Sequence, residues 1–194
     1  VDPLDFQKVL KDKPVIAAIR EMRQFGATGV SEFNLGIFFI IGGNIFDLPI
    51  IAKQAARSRK MVFVDIDLIK GIGKDAFGIR YLARNEHIHG IITTKSNLIN
   101  SARKEGLSSI QRIFVLDSES LTGGLNVITK SRPDAVEVLP GLILPKIMNR
   151  IRATTAVPII AGGLITTPDE VNEILSSGAI GISTSTAKLW GPVR

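Results

Sequence analysis

Cysteine is absent from the 194-residue chain, which excludes disulfides, thiolate metal sites and a cysteine nucleophile, and fits a reducing cytoplasm. Histidine is nearly absent. His87 and His89 are the only two, and both stand at the start of an apolar run, so neither a histidine base nor a histidine-rich metal centre is expected. One tryptophan and one tyrosine offer little ring surface for stacking nucleobases, and the usual RNA-binding signatures are missing. There is no Gly-x-Ser-x-Gly elbow and no Gly-Lys-Ser/Thr phosphate loop, so no hydrolase nucleophile, cofactor or metal is indicated. The longest apolar run, Ile37–Ile41, is far below the roughly 20 residues that a membrane span needs. Val1–Leu10 carries Asp2, Asp5 and Lys8 and does not resemble a secretory signal.

What is present is a globular composition, 45% hydrophobic and 22% charged, with a formal net charge of +6. A basic balance favours anionic ligands or polyanionic partners. Three clusters carry it: Arg57-Ser58-Arg59-Lys60, Arg103-Lys104, and the set Lys146, Arg150 and Arg152. Each alone reads as a solvated helix face. Together they keep nucleic acid in play.

Short apolar runs alternate with helical patterns along the whole chain. Val15–Arg20, Ile37–Ile41, Met61–Ile66, Ile88–Thr94, Ile110–Leu116, Ala135–Leu139, Val157–Ala161 and Ala179–Ser183 read as eight strands. They are continuous apolar runs rather than alternations, as parallel strands buried on both faces require. Leu48–Arg59, Lys74–Asn85, Ser96–Glu105, Glu119–Lys130, Gly141–Arg152 and Pro168–Ser177 read as helices. Thr167-Pro168-Asp169-Glu170 is a strong start signal, with Gly178 as the stop. The pattern predicts an α/β fold, a (β/α)8 TIM-type barrel spanning 1–194 as a single domain, with a doubly wound open sheet as the alternative. Segment 22–36 should hold the first helix, but Gly26, Gly29 and Gly36 predict a broken helix or a loop there.

In such a barrel, chemistry sits at the C-terminal ends of the strands. Gly162 and Gly163 follow the seventh strand, and Ser183, Thr184 and Ser185 end the eighth. Small residues admit backbone N–H groups to an anion, and hydroxyls add donors, so the pair of loops reads as a phosphate cradle opening a short helix. An ordinary strand-to-helix turn selects the same residues. Arg20 and Lys95 are strand-end cations suited to a phosphate or carboxylate. Asp65 and Asp67 fall on one side of a strand by its period of two; they suit ligand hydroxyls, a divalent cation, a shared proton, or structural pairing with Arg20 or Lys95. Glu137 is a charge inside a core strand and needs a partner, Arg112 or Lys95. Gln111-Arg112 likewise interrupts an apolar strand.

Taken in order, Ala17-Ala18-Ile19-Arg20, Asp65-Ile66-Asp67-Leu68-Ile69-Lys70-Gly71, Gly90–Lys95, Ile110–Ser118, Val136-Glu137-Val138-Leu139-Pro140-Gly141, Ala161–Ile165 and Ser183-Thr184-Ser185 resemble the glycerol-3-phosphate-responsive antiterminators, the glycerol uptake operon antiterminators of bacteria. The resemblance runs from about Pro14 to Trp190. It implies a cytoplasmic regulator with a barrel fold that binds leader mRNA when glycerol 3-phosphate is available. It also implies Gly162, Gly163, Ser183, Thr184 and Ser185 at the phosphate, and Arg20, Asp67 and Lys95 at the glycerol end. The chain departs from the family pattern at Asp65, where the family has histidine. Lys146, Arg150 and Arg152 are the expected RNA contacts, and homo-oligomerisation would unite two such patches. The competing expectation is a phosphosugar isomerase or aldolase using Lys95 as a Schiff-base residue.

Overall fold

The computed structural model describes residues 6–21, 33–85 and 87–191. Eight parallel strands, β1 (Val15–Ile19), β2 (Ile37–Ile40), β3 (Met61–Asp65), β4 (Gly90–Thr93), β5 (Ser108–Phe114), β6 (Ala135–Leu139), β7 (Ile159–Gly162) and β8 (Gly181–Thr184), close in sequence order into a barrel. Closure is made by β1 and β8, with Val15 opposite Ile182 and Ala17 opposite Thr184. The open-sheet alternative is thereby excluded. Helices α1 (Phe6–Asp12), α2 (Leu48–Arg57), α3 (Ala76–Ala83), α4 (Ser96–Lys104), α5 (Ser118–Ser131), α6 (Leu144–Arg152) and α7 (Pro168–Ser176) complete the described elements, with 3-10 turns at Gly141–Ile143 and Ala187–Leu189.

The period of two along each strand sorts its side chains into two cores. Ile16, Ile37, Phe39, Met61, Phe63, Ile92, Ile110, Ala135 and Ile160 pack together inside the barrel. Val62, Val64, Ile91, Val136, Val138, Ile159 and Ile182 pack in the layer between barrel and helices. That two-sided burial is the reason the strands carry unbroken apolar runs. Helix α1 was not anticipated from the sequence. Its Phe6 and Leu10, one helical turn apart, join the inner core, and Phe6 meets Phe63 edge-on at 5.5 Å. The helix therefore closes the N-terminal end of the barrel, where the lumen would otherwise be open to water.

The expected elements recur with ends that differ by up to two residues, and α3 is shorter by two at each end. The helix expected over Gly141–Arg152 begins as a 3-10 turn and becomes α-helical only at Leu144. Of the segment expected to hold a broken first helix, 22–32 lie outside the described residues, and Phe33–Gly36 are without helix or strand. No described helix is long and apolar enough to cross a membrane.

Candidate functional site

A cavity of about 300 Å3 opens at the C-terminal mouth, at the small end of the range for ligand pockets, suited to a small metabolite rather than a nucleotide. Gly163–Thr166, after β7, form one wall, and Ser183–Thr186 form the next. Ala18, Arg20, Ile41 and Leu68 close the opposite side, over a floor of Arg112, Glu137 and Leu139.

The floor follows from register. Arg112 on β5 is paired in the ladder with Glu137 on β6, so both side chains enter the lumen one layer above Ile110 and Ala135. Arg112 Nε donates to Glu137 Oε2 at 2.7 Å, and its NH1 donates to Asp65 Oδ2. Glu137 Oε1 accepts from Ser183 Oγ at 2.6 Å. All four side chains are buried, Asp65 completely. One guanidinium thus serves two carboxylates, and its fork geometry is what allows it to hold both. Burial pushes the Asp65 carboxyl above the ordinary carboxylate range, and the attraction of Arg112 only partly offsets this. For Arg112 burial alone would lower the pKa, but Glu137 and Asp65 together hold it above its usual value.

A pH dependence follows. Because the folded state holds the Asp65 proton more tightly than the unfolded chain does, its stabilising contribution is full below the unfolded pKa and is lost as pH rises through the higher folded one. Unfolding measured from pH 4 to 7 should show this decline. Asp65→Asn should flatten it and leave stability at pH 7 no lower than that of the parent; a clear loss at pH 7 would show that the charged form is the one the fold needs.

The remaining residues expected at the site divide. Arg20, Glu137, Gly163, Ser183, Thr184 and Ser185 line the cavity. Gly162 ends β7 beneath it, where an added Cβ would meet Glu137 Oε1 at 2.6 Å. Gly163 has φ +77 and Leu164 φ +63, so the wall turns through consecutive left-handed residues, an uncommon conformation for leucine. Two hydroxyls are already committed: that of Ser183 to Glu137, and that of Thr184 to Ile165 O at 2.8 Å. The short helix expected after β8 is only the 3-10 turn Ala187–Leu189, too brief to supply a helix-terminal field. The backbone donors just before α7 are also occupied, since Glu170 accepts from Thr166 N at 2.7 Å and Thr167 N at 3.0 Å.

Asp67 and Lys95 do not line the cavity. Strand β3 ends at Asp65 and the chain turns, so the period of two does not carry to Asp67. Its carboxylate accepts from Thr94 N at 2.7 Å and from the hydroxyls of Thr93 and Thr94, and Asp67 N donates to Asp65 Oδ1 at 3.1 Å. The two aspartates therefore neither face one ligand nor pair with Arg20 or Lys95 as expected. Asp67 ties the end of β3 to the end of β4, where Gln111 Nε2 adds a bond to Thr94 O at 2.8 Å. Lys95 is exposed at the N-cap of α4. Among the described residues no group of three or more His, Cys, Asp or Glu is placed to hold a metal ion. Arg112, expected from the sequence only as a partner for Glu137, also lines the cavity.

Comparison with known proteins bears on this geometry. The sequence profile of a family described as glycerol-3-phosphate responsive antiterminator matches residues 15–190. YgcP of Escherichia coli (strain K12) is 30% identical over 182 residues, 94% of this chain and 94% of YgcP. The crystal structure of a glycerol uptake operon antiterminator regulatory protein from Listeria monocytogenes superposes with a TM-score of 0.84 at 31% identity, over 92% of this chain and 95% of that one. That of a glycerol uptake operon antiterminator-related protein from Thermotoga maritima gives 0.80 at 34% identity, over 92% and 98%.

Proposed function

The chain belongs to the glycerol-3-phosphate responsive antiterminator family, a family of regulators rather than of enzymes, and we propose that it senses glycerol 3-phosphate in the mouth cavity and binds leader mRNA in response. The observation that carries the ligand half is the convergence of two arginines, the Gly163–Thr166 loop and the Ser183–Thr186 segment on one small cavity. The phosphate suits the rim, where Arg20 and the backbone of Gly163 and Ser185 meet, because an anion there need not leave water completely. The glycerol hydroxyls suit the floor, where Glu137 accepts and Arg112 donates. Asp67 and Lys95 act on this reading through the β4–α4 loop rather than by contact.

Ligand binding can shift an RNA-competent state only by its differential affinity for that state. The loops after β7 and β8 are the elements the phosphate would order, and Leu164, held at a strained φ, lies in the first of them. The aldolase reading finds no observation in its favour, because its nucleophile Lys95 stands outside the cavity.

Thermal unfolding tests the ligand. Glycerol 3-phosphate at 100 times its Kd should add about 2.7 kcal/mol of apparent stability, with glycerol, inorganic phosphate and triose or pentose phosphates giving less. A larger shift with a sugar phosphate would return the enzyme reading to the front, and no shift with any phosphate would remove the cradle.

A further inference from the structure

In this barrel the helices run back against the strands, so helix C-termini gather at the N-terminal ends of the strands, the end opposite the cavity. The charges divide unequally along that axis, although Lys95 at the start of α4 and Lys146 in the first turn of α6 stand on the cavity side. Asp47, Asp75, Asp117, Asp169 and Glu170 stand at the starts of α2, α3, α5 and α7, on the cavity side. The last turns of α1, α2, α4, α5 and α6 carry Lys11, Arg57, Arg103 with Lys104, Lys130, and Arg150 with Arg152. Among the described residues, carboxylates on that far face are few. Glu105 pairs with Arg80 at 2.9 Å, and Asp134 accepts from Ser109 N and Oγ, both at 2.8 Å; Asp12 and Glu173 are the others among the described residues.

Helix dipoles alone account for lysine and arginine in last turns. They do not account for Arg59 and Arg132. Both lie just beyond a helix end in the left-handed conformation, at φ 53 and φ 50. The left-handed residue just beyond α4 and α7 is glycine in both cases, Gly106 (φ 77) and Gly178 (φ 104), the residue that takes this conformation without strain. At two helix ends of this face an arginine stands where glycine would be more comfortable. Lys8 and Lys11 are exposed on α1, which crosses the centre of the same face. At its edge Tyr81, the one tyrosine of the chain, lines an open concavity with Arg84, Asn85 and His87, a platform suited to one stacked base.

From these observations we infer that the N-terminal face of the barrel is the RNA-binding surface, with Lys8, Lys11, Arg59 and Arg132 at phosphates and Tyr81 under a base. The inference rests on the RNA half of the proposed function and moves its location. Of the three residues first expected to contact RNA, Lys146 lies in the first turn of α6 at the cavity end, while Arg150 and Arg152 lie in its last turn on the far face. Arg152 also donates to Val157 O and Gly178 O, each at 3.1 Å, so it fastens two turns of that face as well.

The test uses the whole protein saturated with glycerol 3-phosphate and an in vitro transcript of the terminator-bearing leader of a glycerol-utilisation operon. The double variant Arg59→Gly, Arg132→Gly should melt no lower than the parent, since both changes relieve left-handed strain. It should bind the transcript about tenfold more weakly at 0.1 M salt, with a log–log salt slope shallower by about 1–2. Tyr81→Ala should weaken binding with the salt slope unchanged. Lys146→Ala with Lys188→Ala, at the cavity end, should change affinity less than about twofold. Full binding by the arginine double variant combined with Lys8→Ala and Lys11→Ala, or loss in the Lys146/Lys188 variant, would overturn the assignment of the face alone. Failure of the parent to bind any such transcript would overturn the RNA reading itself.

Discussion

Arg112→Met is expected to lower the unfolding free energy by about 3–5 kcal/mol and to abolish the response to glycerol 3-phosphate. The side chains are of similar length and the change opens no large cavity, so the loss is electrostatic. Removing the guanidinium leaves Asp65 and Glu137 buried with no cation between them, the most expensive arrangement a buried ion pair can be converted into. Against a typical total stability of about 5–15 kcal/mol, a loss of that size unfolds a substantial fraction of molecules. Arg112→Lys should recover only part of it, because a single ammonium cannot reproduce the separate bonds from Nε to Glu137 and from NH1 to Asp65. The informative companion is the triple variant Arg112→Met, Asp65→Asn, Glu137→Gln. Neutralising the orphaned carboxylates should restore most of the stability in chemical denaturation, while leaving no guanidinium for the ligand. A triple variant that folded and still answered to glycerol 3-phosphate would show Arg112 to be structural only. A single variant as stable as the parent would contradict the charge argument at its root.

The eight strands and their parallel order were legible in the sequence because burial on two faces writes a continuous apolar run, and eight such runs separated by helical patterns leave few closures. The capping box at Thr167 and Glu170 was legible for the same reason: its bonds are local, three residues apart. Partners across the barrel were legible only to the level of candidates. Glu137 inside a core strand demanded a cation, and Arg112 was one of two that could reach it; the ladder register chose between them. Asp67 was misplaced because nothing in Asp65-Ile66-Asp67 marks where the strand stops. The hydroxyls of Ser183 and Thr184 were readable as donors but not as donors already in use, since Glu137 and Ile165 O come from other strands and loops. Helix α1 was overlooked because it spans only seven residues, so that Phe6, Val9 and Leu10 make a single apolar set too short for helical periodicity to stand out. The division of charge between the two ends of the barrel could not be seen until the topology had brought the ends of separate helices to one face.

Gly162→Ala puts the tightness of the floor to the test, and its expected cost is about 1–3 kcal/mol for one methyl group. The added Cβ would stand 2.6 Å from Glu137 Oε1, 3.1 Å from its Cδ and 3.2 Å from Ser183 Oγ. A carboxylate at the end of a flexible side chain would ordinarily swing aside from such a contact. Glu137 is held at both oxygens, by Arg112 and by Ser183, and Arg112 is held in turn by Asp65. Any movement of Glu137 therefore breaks a bond inside a buried charge cluster, which is why a single methyl should be felt so strongly here. The same movement would displace the groups proposed to meet the glycerol hydroxyls, so stabilisation by glycerol 3-phosphate should fall with the fold. A double-mutant cycle separates this mechanism from a general intolerance of β7 to side chains. In a Glu137→Ala background the space is open, and Gly162→Ala should cost little, giving a coupling of about 1–2 kcal/mol between the two positions. Equal costs in both backgrounds would mean that the clash lies elsewhere and that Glu137 is free to move. Neither result depends on the ligand, so the rigidity of the floor can be measured before its occupant is known.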